Sequence, residues 1–308
     1  MIELEKEVLA YLDYCKNQKK LSKDTLKAYA IDLKQFQRQT QNAVNCAAKA
    51  EITNYISYLH KTYQPRTVKR KLASLKAFFG YLEFEEIISD DPMRKIRTKF
   101  QEPQELPRTV PLKLIQKILS AAYSCLGQAY TQHALWVAYR NVAVVELLFA
   151  TGMRVSELCS LETEDVSLGD GSVRIMGKGS KERIIQIGNR EVLKALRQYE
   201  KISSVLGEET EFFFVNRLRA RFSEQSVRAL ICKLCFDAGI SLHITPHMFR
   251  HSFATLLLEE DVDIRYIQRM LGHSSIQTTQ IYTQVTAQKQ RKILTAKHPR
   301  NKFMFNDE

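Results

Sequence analysis

Four residues in the last quarter of the chain have types and spacing suited to phosphoryl chemistry. His247 and Arg250 lie three residues apart, and His273 and Tyr282 follow them. Histidine and arginine side chains can bind one phosphate group and stabilise the charge that develops on it. A tyrosine phenol has a pKa of about 10, so it attacks at neutral pH only beside such groups. The series therefore indicates covalent attack on a phosphodiester without a metal ion.

The first two of these residues are expected at the beginning of a helix. Thr245 suits the N-cap and Pro246 suits the first helical position. Free backbone N–H groups and the helix dipole favour an anion at such a terminus. Further along, Gly272 suits the position just past a helix end, where the chain turns before His273.

Metal chemistry is not favoured by the histidines or the cysteines. His247 and His251 have the i, i+4 spacing of a helical zinc site, but Met248 stands where that motif has its glutamate. Cys232 and Cys235 form a lone CxxC pair, and a structural zinc site needs a second pair of ligands. The sequence therefore predicts no metal site and no cofactor.

The charge of the chain indicates what kind of phosphodiester is bound. Its 308 residues include 46 Lys and Arg against 34 Asp and Glu, a formal net charge of +12. A hydrophobic content of 44% with 26% charged residues is ordinary for a globular protein. The excess of basic residues favours a polyanionic partner, with nucleic acid as the first candidate, although an anionic membrane surface would also satisfy it.

A cytoplasmic location is expected from two features. The first residues are acidic where a secretory signal would be basic. The longest apolar run, residues 142–150, is too short to span a membrane and contains Glu146, which favours a buried helix. Six scattered cysteines are then expected to be reduced thiols.

Hydrophobic periodicity predicts a mainly α fold. Amphipathic stripes follow Ser22, which suits an N-cap, and recur from Ile52 and after Pro65. Residues 172–176 and 183–187 alternate like two short strands joined by a turn, and a third strand is possible at residues 211–215.

Residues 61–76 contain no acidic side chain and interleave their basic positions with an apolar stripe. The helix is therefore expected to have a core face and a cationic face, and we predict that the cationic face contacts the DNA backbone. The basic residues are Lys61, Arg66, Lys69, Arg70, Lys71 and Lys76.

Together these segments resemble the tyrosine recombinases, also called the phage integrase family, and above all the Xer-like members. Their order matches the family's order of Arg, Lys, His-x-x-Arg, His and Tyr, and the basic helical region resembles the family's core-binding domain. The motifs are ATGMRVSEL at residues 150–158, GKGSKER at 177–183, PHMFRHSFAT at 246–255, LGHSS at 271–275 and TTQIY at 278–282.

The resemblance implies which residues hold the phosphate. Arg154 and Arg250 would clamp the scissile phosphate, in keeping with the fork geometry of the guanidinium group. His273 would donate a hydrogen bond to the phosphate oxygens. Glu157, three residues after Arg154, matches the family's acidic supporting position.

The resemblance also implies the proton transfers. Tyr282 would be the nucleophile, and His247 would be its general base or acid. Lys178, in the turn between the two predicted strands, would protonate the departing 5′ oxygen. Lys181 is a competing choice for this lysine.

By the same resemblance the chain has the DNA breaking-rejoining fold, mainly α. It would contain a helical core-binding (SAM-like) domain at residues 1–97 and a linker at 98–110. A mostly helical catalytic domain with a small antiparallel β-sheet would occupy residues 111–284. Residues 285–308 would form a tail that docks on a neighbouring protomer.

The implied reaction is site-specific recombination. A 3′-phosphotyrosine intermediate would form on double-stranded DNA, and strands would be exchanged through a Holliday junction by a homotetramer, with or without a second recombinase. Bond energy is retained, so neither ATP nor a metal is needed. The task would be integration or excision of a mobile element, or Xer-type resolution.

Two alternatives stay open on the sequence. A type IB topoisomerase cleaves DNA with a similar set of residues and reseals the same strand. A DNA-binding regulator without catalysis would need only the basic helices. The order of the motifs favours the recombinase over the first, and the complete catalytic set favours it over the second.

Overall fold

The computed structural model describes residues 4–40, 49–96, 98, 100, 109–177, 181–205, 210–272 and 287–302. The chain divides into two compact units, Met1–Glu105 and Leu106–Glu308. The division falls inside the stretch predicted as a linker. The chain is mainly helical with a small antiparallel sheet, which confirms the predicted fold class.

The first unit is a group of helices around an apolar core. Ser22 caps the second helix by accepting a hydrogen bond from the backbone N–H of Thr25 at 3.3 Å. The predicted stripes form the core, in which Leu33, Phe36 and Phe78 are fully buried. The helices are α1 (Leu4–Asn17), α2 (Lys23–Gln39), α3 (Lys49–Thr62) and α4 (Pro65–Phe84), followed by a 3₁₀ turn (Pro92–Lys95).

The second unit packs its helices around a central one, α6 (Gln132–Thr151), whose second half is almost wholly buried. The predicted burial of residues 142–150 is confirmed, and Glu146 is buried with them. Among the described helices, α6 alone is long and apolar enough to cross a membrane, and 72% of its apolar window is buried within the protein. The helices are α5 (Leu112–Gly127), α6 (Gln132–Thr151), α7 (Val155–Cys159), α8 (Arg190–Val205), α9 (Glu224–Asp237), α10 (Pro246–Glu259), α11 (Ile264–Leu271) and α12 (Ala287–Lys297), with 3₁₀ turns at Thr163–Asp165 and Pro299–Lys302.

A small antiparallel sheet lies in the second unit. Its strands are paired in the order β1 (Val166–Ser167), β2 (Ser172–Gly177) and β3 (Lys181–Gln186). The two predicted strands are confirmed as β2 and β3, whereas the two-residue β1 was not predicted. Residues 211–215 make isolated bridges rather than a strand. The predicted turn at residues 178–180 lies outside the described residues.

Candidate active site

Arg154 is placed by a sharp end to α6. Gly152 ends this helix in the left-handed conformation with φ 59°, which glycine adopts without steric cost. A Cβ on Gly152 would lie 2.6 Å from a ring carbon of Phe253, so the close packing also requires glycine. The chain then turns into α7, and Arg154 becomes the N-cap residue with its side chain 37% exposed.

Glu157, in the first turn of α7, accepts two hydrogen bonds from this arginine. Its carboxylate accepts a hydrogen bond from the Arg154 backbone N–H at 2.7 Å and another from Arg154 Nη1 at 2.8 Å. Burial alone would raise the pKa of Glu157, but hydrogen bonds from Arg183 and Arg154 outweigh it and hold the pKa below its usual range. The carboxylate is therefore ionised at neutral pH and fixes Arg154.

Arg250 joins three helix ends. Thr245 and Pro246 begin α10 as predicted, although no capping bond of the Thr245 side chain is found among the described residues. One turn later Arg250 is buried, with 6% of its surface exposed. Its Nη1 donates to the carbonyl of Gly152 at 2.9 Å and its Nη2 donates to the carbonyl of Leu271 at 2.6 Å. The ends of α6 and α11 are thereby held beside the first turns of α10.

The two predicted clamp arginines lie close enough to repel each other. Burial, and next the charge of Arg154, lower the pKa of Arg250 to about 10. The charge of Glu157 opposes this shift, and that of Arg183 adds to it. Arg250 stays cationic at neutral pH, and its two bonds to carbonyls use two of the five N–H groups of a guanidinium. An anion bound between these cations would relieve their repulsion.

The two histidines of α10 are both exposed at its amino-terminal end. His247 lies in the first turn, and His251 follows one turn later. Burial, the nearby His247 and the charge of Arg250 lower the pKa of His251. His247 lies three residues before Arg250 on the same helix, at a terminus that favours an anion.

Arg183 also belongs to this cluster, and no role was predicted for it. It lies on β3 and its two terminal nitrogens bind both oxygens of Glu157, at 3.1 and 2.7 Å. The available signal was its place as the last residue of the GKGSKER motif.

Comparison with known families decides what this cluster belongs to. The model of the phage integrase family matches residues 116–289, more than half of the chain. That of the phage integrase N-terminal SAM-like domain matches residues 8–86.

The chain belongs to the phage integrase family.

Individual relatives agree with this assignment. A tyrosine recombinase of Agathobacter rectalis is 49% identical over 306 residues, which cover 99% of this chain and all of the relative. The tyrosine recombinase XerD of Listeria innocua is 35% identical and covers 94% of this chain and 97% of its own length. The recombinase is thus Xer-like, and it is an enzyme of site-specific recombination. The two alternative functions receive no support from these relatives.

Two solved structures share the fold. XerH bound to palindromic difH in a post-cleavage complex has a TM-score of 0.70 at 20% identity, covering 94% of this chain and 81% of that one. A lambda integrase tetramer bound to a Holliday junction has a TM-score of 0.68 at 20% identity, covering 89% and 75%. At this identity the likeness concerns the fold alone.

Three predicted site residues of the recombinase, Lys178, His273 and Tyr282, lie outside the described residues. Lys178 falls between β2 and β3 in the sequence, and His273 directly follows Gly272. The turn predicted at Gly272 is confirmed by its left-handed φ of 65°. The roles of the three residues stay predictions.

The basic surface of the first unit differs from its prediction at one position. Lys71 is 3% exposed, and its ammonium lies 2.9 Å from Asp32 Oδ1 and over the ring of Tyr63. The charge of Lys71 is therefore neutralised within the unit. Lys71 does not belong to the cationic face, which corrects the predicted set of DNA-binding residues. The exposed members of the set are Lys61, Arg66, Lys69, Arg70 and Lys76.

Proposed function

We propose that this recombinase cleaves and rejoins double-stranded DNA sites through a 3′-phosphotyrosine intermediate on Tyr282. The observation that carries the proposal is the convergence of Arg154 and Arg250 beside Glu157, where α6, α7, α10 and α11 meet. Two guanidinium groups held in this way can bind the non-bridging oxygens of a phosphodiester and stabilise the charge of its transition state.

The cleavage step conserves the number of bonds at phosphorus. Tyr282 Oη attacks the scissile phosphorus as His247 takes its proton, and the new P–O bond joins the tyrosine to the 3′ strand. The bond between phosphorus and the 5′ oxygen breaks, and Lys178 gives this oxygen a proton. His273 would bind the phosphate oxygens together with the two arginines.

Strand exchange reverses this step with another DNA end. The 5′-hydroxyl of a partner strand attacks the phosphotyrosine, the new phosphodiester forms, and Tyr282 is released. Because the energy of the broken bond is kept in the phosphotyrosine, neither ATP nor a metal ion is used. We place the reaction in the cytoplasm, in a tetramer on two DNA sites that passes through a Holliday junction, as in the lambda integrase assembly of the same fold.

The first unit would hold the DNA backbone through its exposed basic residues. Arg66 and Lys76 lie on α4 and Lys61 lies near the end of α3. The apolar stripe of α4 faces the core of the unit, so the cationic side chains face solvent. Contacts of this kind position a duplex without reading its sequence.

Covalent trapping tests the proposal. The recombinase is incubated with fragments of its host's DNA that carry random nicks, so that a short cleaved strand diffuses away and the phosphotyrosine accumulates. Sequencing the covalently bound fragments gives the cleavage site, which then serves as a defined nicked duplex. We expect Tyr282→Phe to bind this duplex with unchanged affinity and to form no covalent complex.

The matched control is Tyr130→Phe, because Tyr130 is 93% exposed on the same unit. This variant should trap DNA as the unmodified protein does. Covalent attachment by Tyr282→Phe would show that the nucleophile is another residue. Absence of any covalent complex with the unmodified protein would contradict the proposed reaction.

A further inference from the structure

The Arg183 side chain extends from strand β3 and donates hydrogen bonds to three acceptor atoms. It is 12% exposed. Both terminal nitrogens donate to the carboxylate of Glu157, and Nε donates to the carbonyl of Met270 at 2.9 Å. One planar group therefore connects β3, α7 and the end of α11.

Its first connection reaches the phosphate clamp through one shared carboxylate. Oε1 of Glu157 accepts from Nη1 of Arg154 and Nη1 of Arg183, and Oε2 accepts from the Arg154 backbone and Nη2 of Arg183. The two-pronged bond from Arg183 fixes the plane of this carboxylate, which in turn orients the guanidinium of Arg154.

Its second connection fixes the end of α11. Two neighbouring carbonyls there, those of Met270 and Leu271, accept from Arg183 and Arg250 respectively. A Cβ on Gly272 would lie 3.1 Å from Nη1 of Arg183, so this guanidinium packs directly against the turn. The next residue in the chain is His273, one of the proposed phosphate ligands.

Lysine could not replace these contacts. The three bonds need a rigid fork of N–H donors, whereas an ammonium group is a single point of charge on a flexible stem. Arg183 also lies two residues beyond the start of β3, the strand that follows the turn with Lys178 in sequence. It is therefore connected to Arg154 through Glu157 and directly to the end of α11.

We propose that Arg183 is a positioning residue for DNA cleavage, which sets Arg154 through Glu157 and sets the exit of α11 toward His273. The inference rests on the proposed function, since it concerns the same phosphate site. Arg183 itself does not touch the DNA. Its loss should slow the chemical step and leave the binding of DNA unchanged.

Single-turnover cleavage of the nicked duplex tests this inference. Arg183→Lys and Arg183→Gln are compared with Arg174→Gln at a temperature where every variant is folded. Arg174 is the matched control because it pairs with Ile184 across the same sheet and makes its own ion pair, at 2.8 Å, with Asp165. Rate constant, amplitude and DNA affinity are measured separately.

We expect both Arg183 variants to cleave about 10- to 100-fold more slowly, with full amplitude and with DNA affinity changed less than about threefold. Arg174→Gln should cleave at the normal rate. In a double-mutant cycle, the loss in Glu157→Gln combined with Arg183→Gln should be clearly smaller than the product of the two single losses, because both residues act on Arg154 through one carboxylate.

A purely structural role would lower the amplitude, which counts correctly folded molecules, and leave the rate constant alone. The inference would be overturned by that result, by a normal rate constant in the Arg183 variants, or by additive losses in the cycle. The proposed function would still stand. If the unmodified protein forms no covalent complex at all, the proposed function fails and the role of Arg183 fails with it.

Discussion

At the residue scale, the stability of the site depends on one buried carboxylate. Glu157 stays ionised in spite of its burial because Arg183 and Arg154 hold its pKa below the usual range. The unfolded chain therefore binds a proton at a higher pH than the folded chain does. It follows that the stabilisation by this group is complete above the ordinary glutamate pKa of about 4.3 and is lost as the pH falls through the lower, folded value.

We predict that Glu157→Gln lowers the free energy of unfolding by about 3 kcal/mol at pH 7, since it breaks a buried ion pair. The difference from the unmodified protein should shrink as the pH falls below about 4.3. Urea unfolding followed by the fluorescence of Trp136, the single tryptophan of the chain, reports the second unit. The control is Glu224→Gln on α9, whose surface ion pair with Arg228 should contribute less than about 1 kcal/mol. A difference that does not depend on pH would contradict the assignment.

Lys178 and Lys181 can be separated by the chemistry of the leaving group. We predict that Lys178→Ala slows cleavage and that a 5′-phosphorothiolate at the scissile position restores it, because a thiolate leaves without being protonated. Single-turnover rates on both substrates measure this. Lys181→Ala is the control and should show no substrate-dependent rescue. Rescue of Lys181→Ala alone would move the general acid to Lys181.

How much of the site the sequence can predict depends on what each residue binds. Arg154 and Arg250 are predicted as phosphate ligands because they stand in recognisable motifs. Arg183 also stands in a motif, but its role could not be predicted, because its partners are a carboxylate on α7 and a backbone carbonyl on α11, distant in sequence and brought together by folding. Every residue has a backbone carbonyl, so an acceptor of this kind cannot be recognised from the sequence.

At the element scale, the helices and the two six-residue strands could be predicted, whereas β1 could not. The apolar stripes of α2 and α4 repeat over several turns, whereas β1 has two residues and no period to detect. Lys71 shows what periodicity does not predict even where the helix itself is predicted correctly. Lys69 and Lys76 in the basic series are exposed, whereas Asp32 on α2 binds both the buried Lys71 and the half-exposed Arg70. Helical periodicity cannot reveal a partner on another helix.

The turn after α11 gives a prediction with a close control. Gly272 and Gly239 both have φ 65°, so alanine at either position is strained by about 1 kcal/mol. A Cβ at Gly239 meets nothing within 4 Å, whereas one at Gly272 presses on Arg183 at 3.1 Å. We predict that both Ala variants lose similar stability and that only Gly272→Ala also cleaves more slowly. Unfolding by urea and single-turnover cleavage measure the two effects, and equal cleavage by both variants would contradict the contact.

The cationic face of α4 gives a prediction about salt. If Lys76 neutralises one phosphate, Lys76→Ala should lower the slope of log affinity against log salt concentration by about 0.9. Lys71→Met should leave that slope unchanged and lower the stability of the first unit by about 1–2 kcal/mol, because Asp32 loses its buried partner but keeps the half-exposed Arg70. DNA titrations at several salt concentrations and thermal unfolding measure these effects. An unchanged slope in Lys76→Ala would remove this contact from the proposed interface.

At the scale of the whole molecule, residues 298–302, the last that the structure describes, are bound into the second unit. Arg300 is 1% exposed and donates from Nε and Nη2 to the carboxylate of Glu146, which is fully buried in α6. Burial lowers the pKa of the adjacent His298 to about 4, so this histidine is neutral at pH 7. Its Nδ1 accepts from the backbone of Arg300, which leaves Nε2 to donate to the carbonyl of Phe149. Docking of this segment on a neighbour would require these contacts to break.

Replacing the two charges in turn measures how strongly this segment is held. Arg300→Met leaves Glu146 as an unpaired charge inside the core, and we predict a loss of about 3–5 kcal/mol in the free energy of unfolding. In Arg300→Met combined with Glu146→Met most of this loss should be recovered, because two apolar side chains of similar size then pack where the ions were. The Tyr123 hydroxyl, which donates to Glu146 at 2.9 Å, then loses this acceptor. Urea unfolding followed by Trp136 fluorescence measures both variants. If the double variant is as unstable as Arg300→Met, the loss comes from detachment of the segment rather than from a buried, unpaired charge.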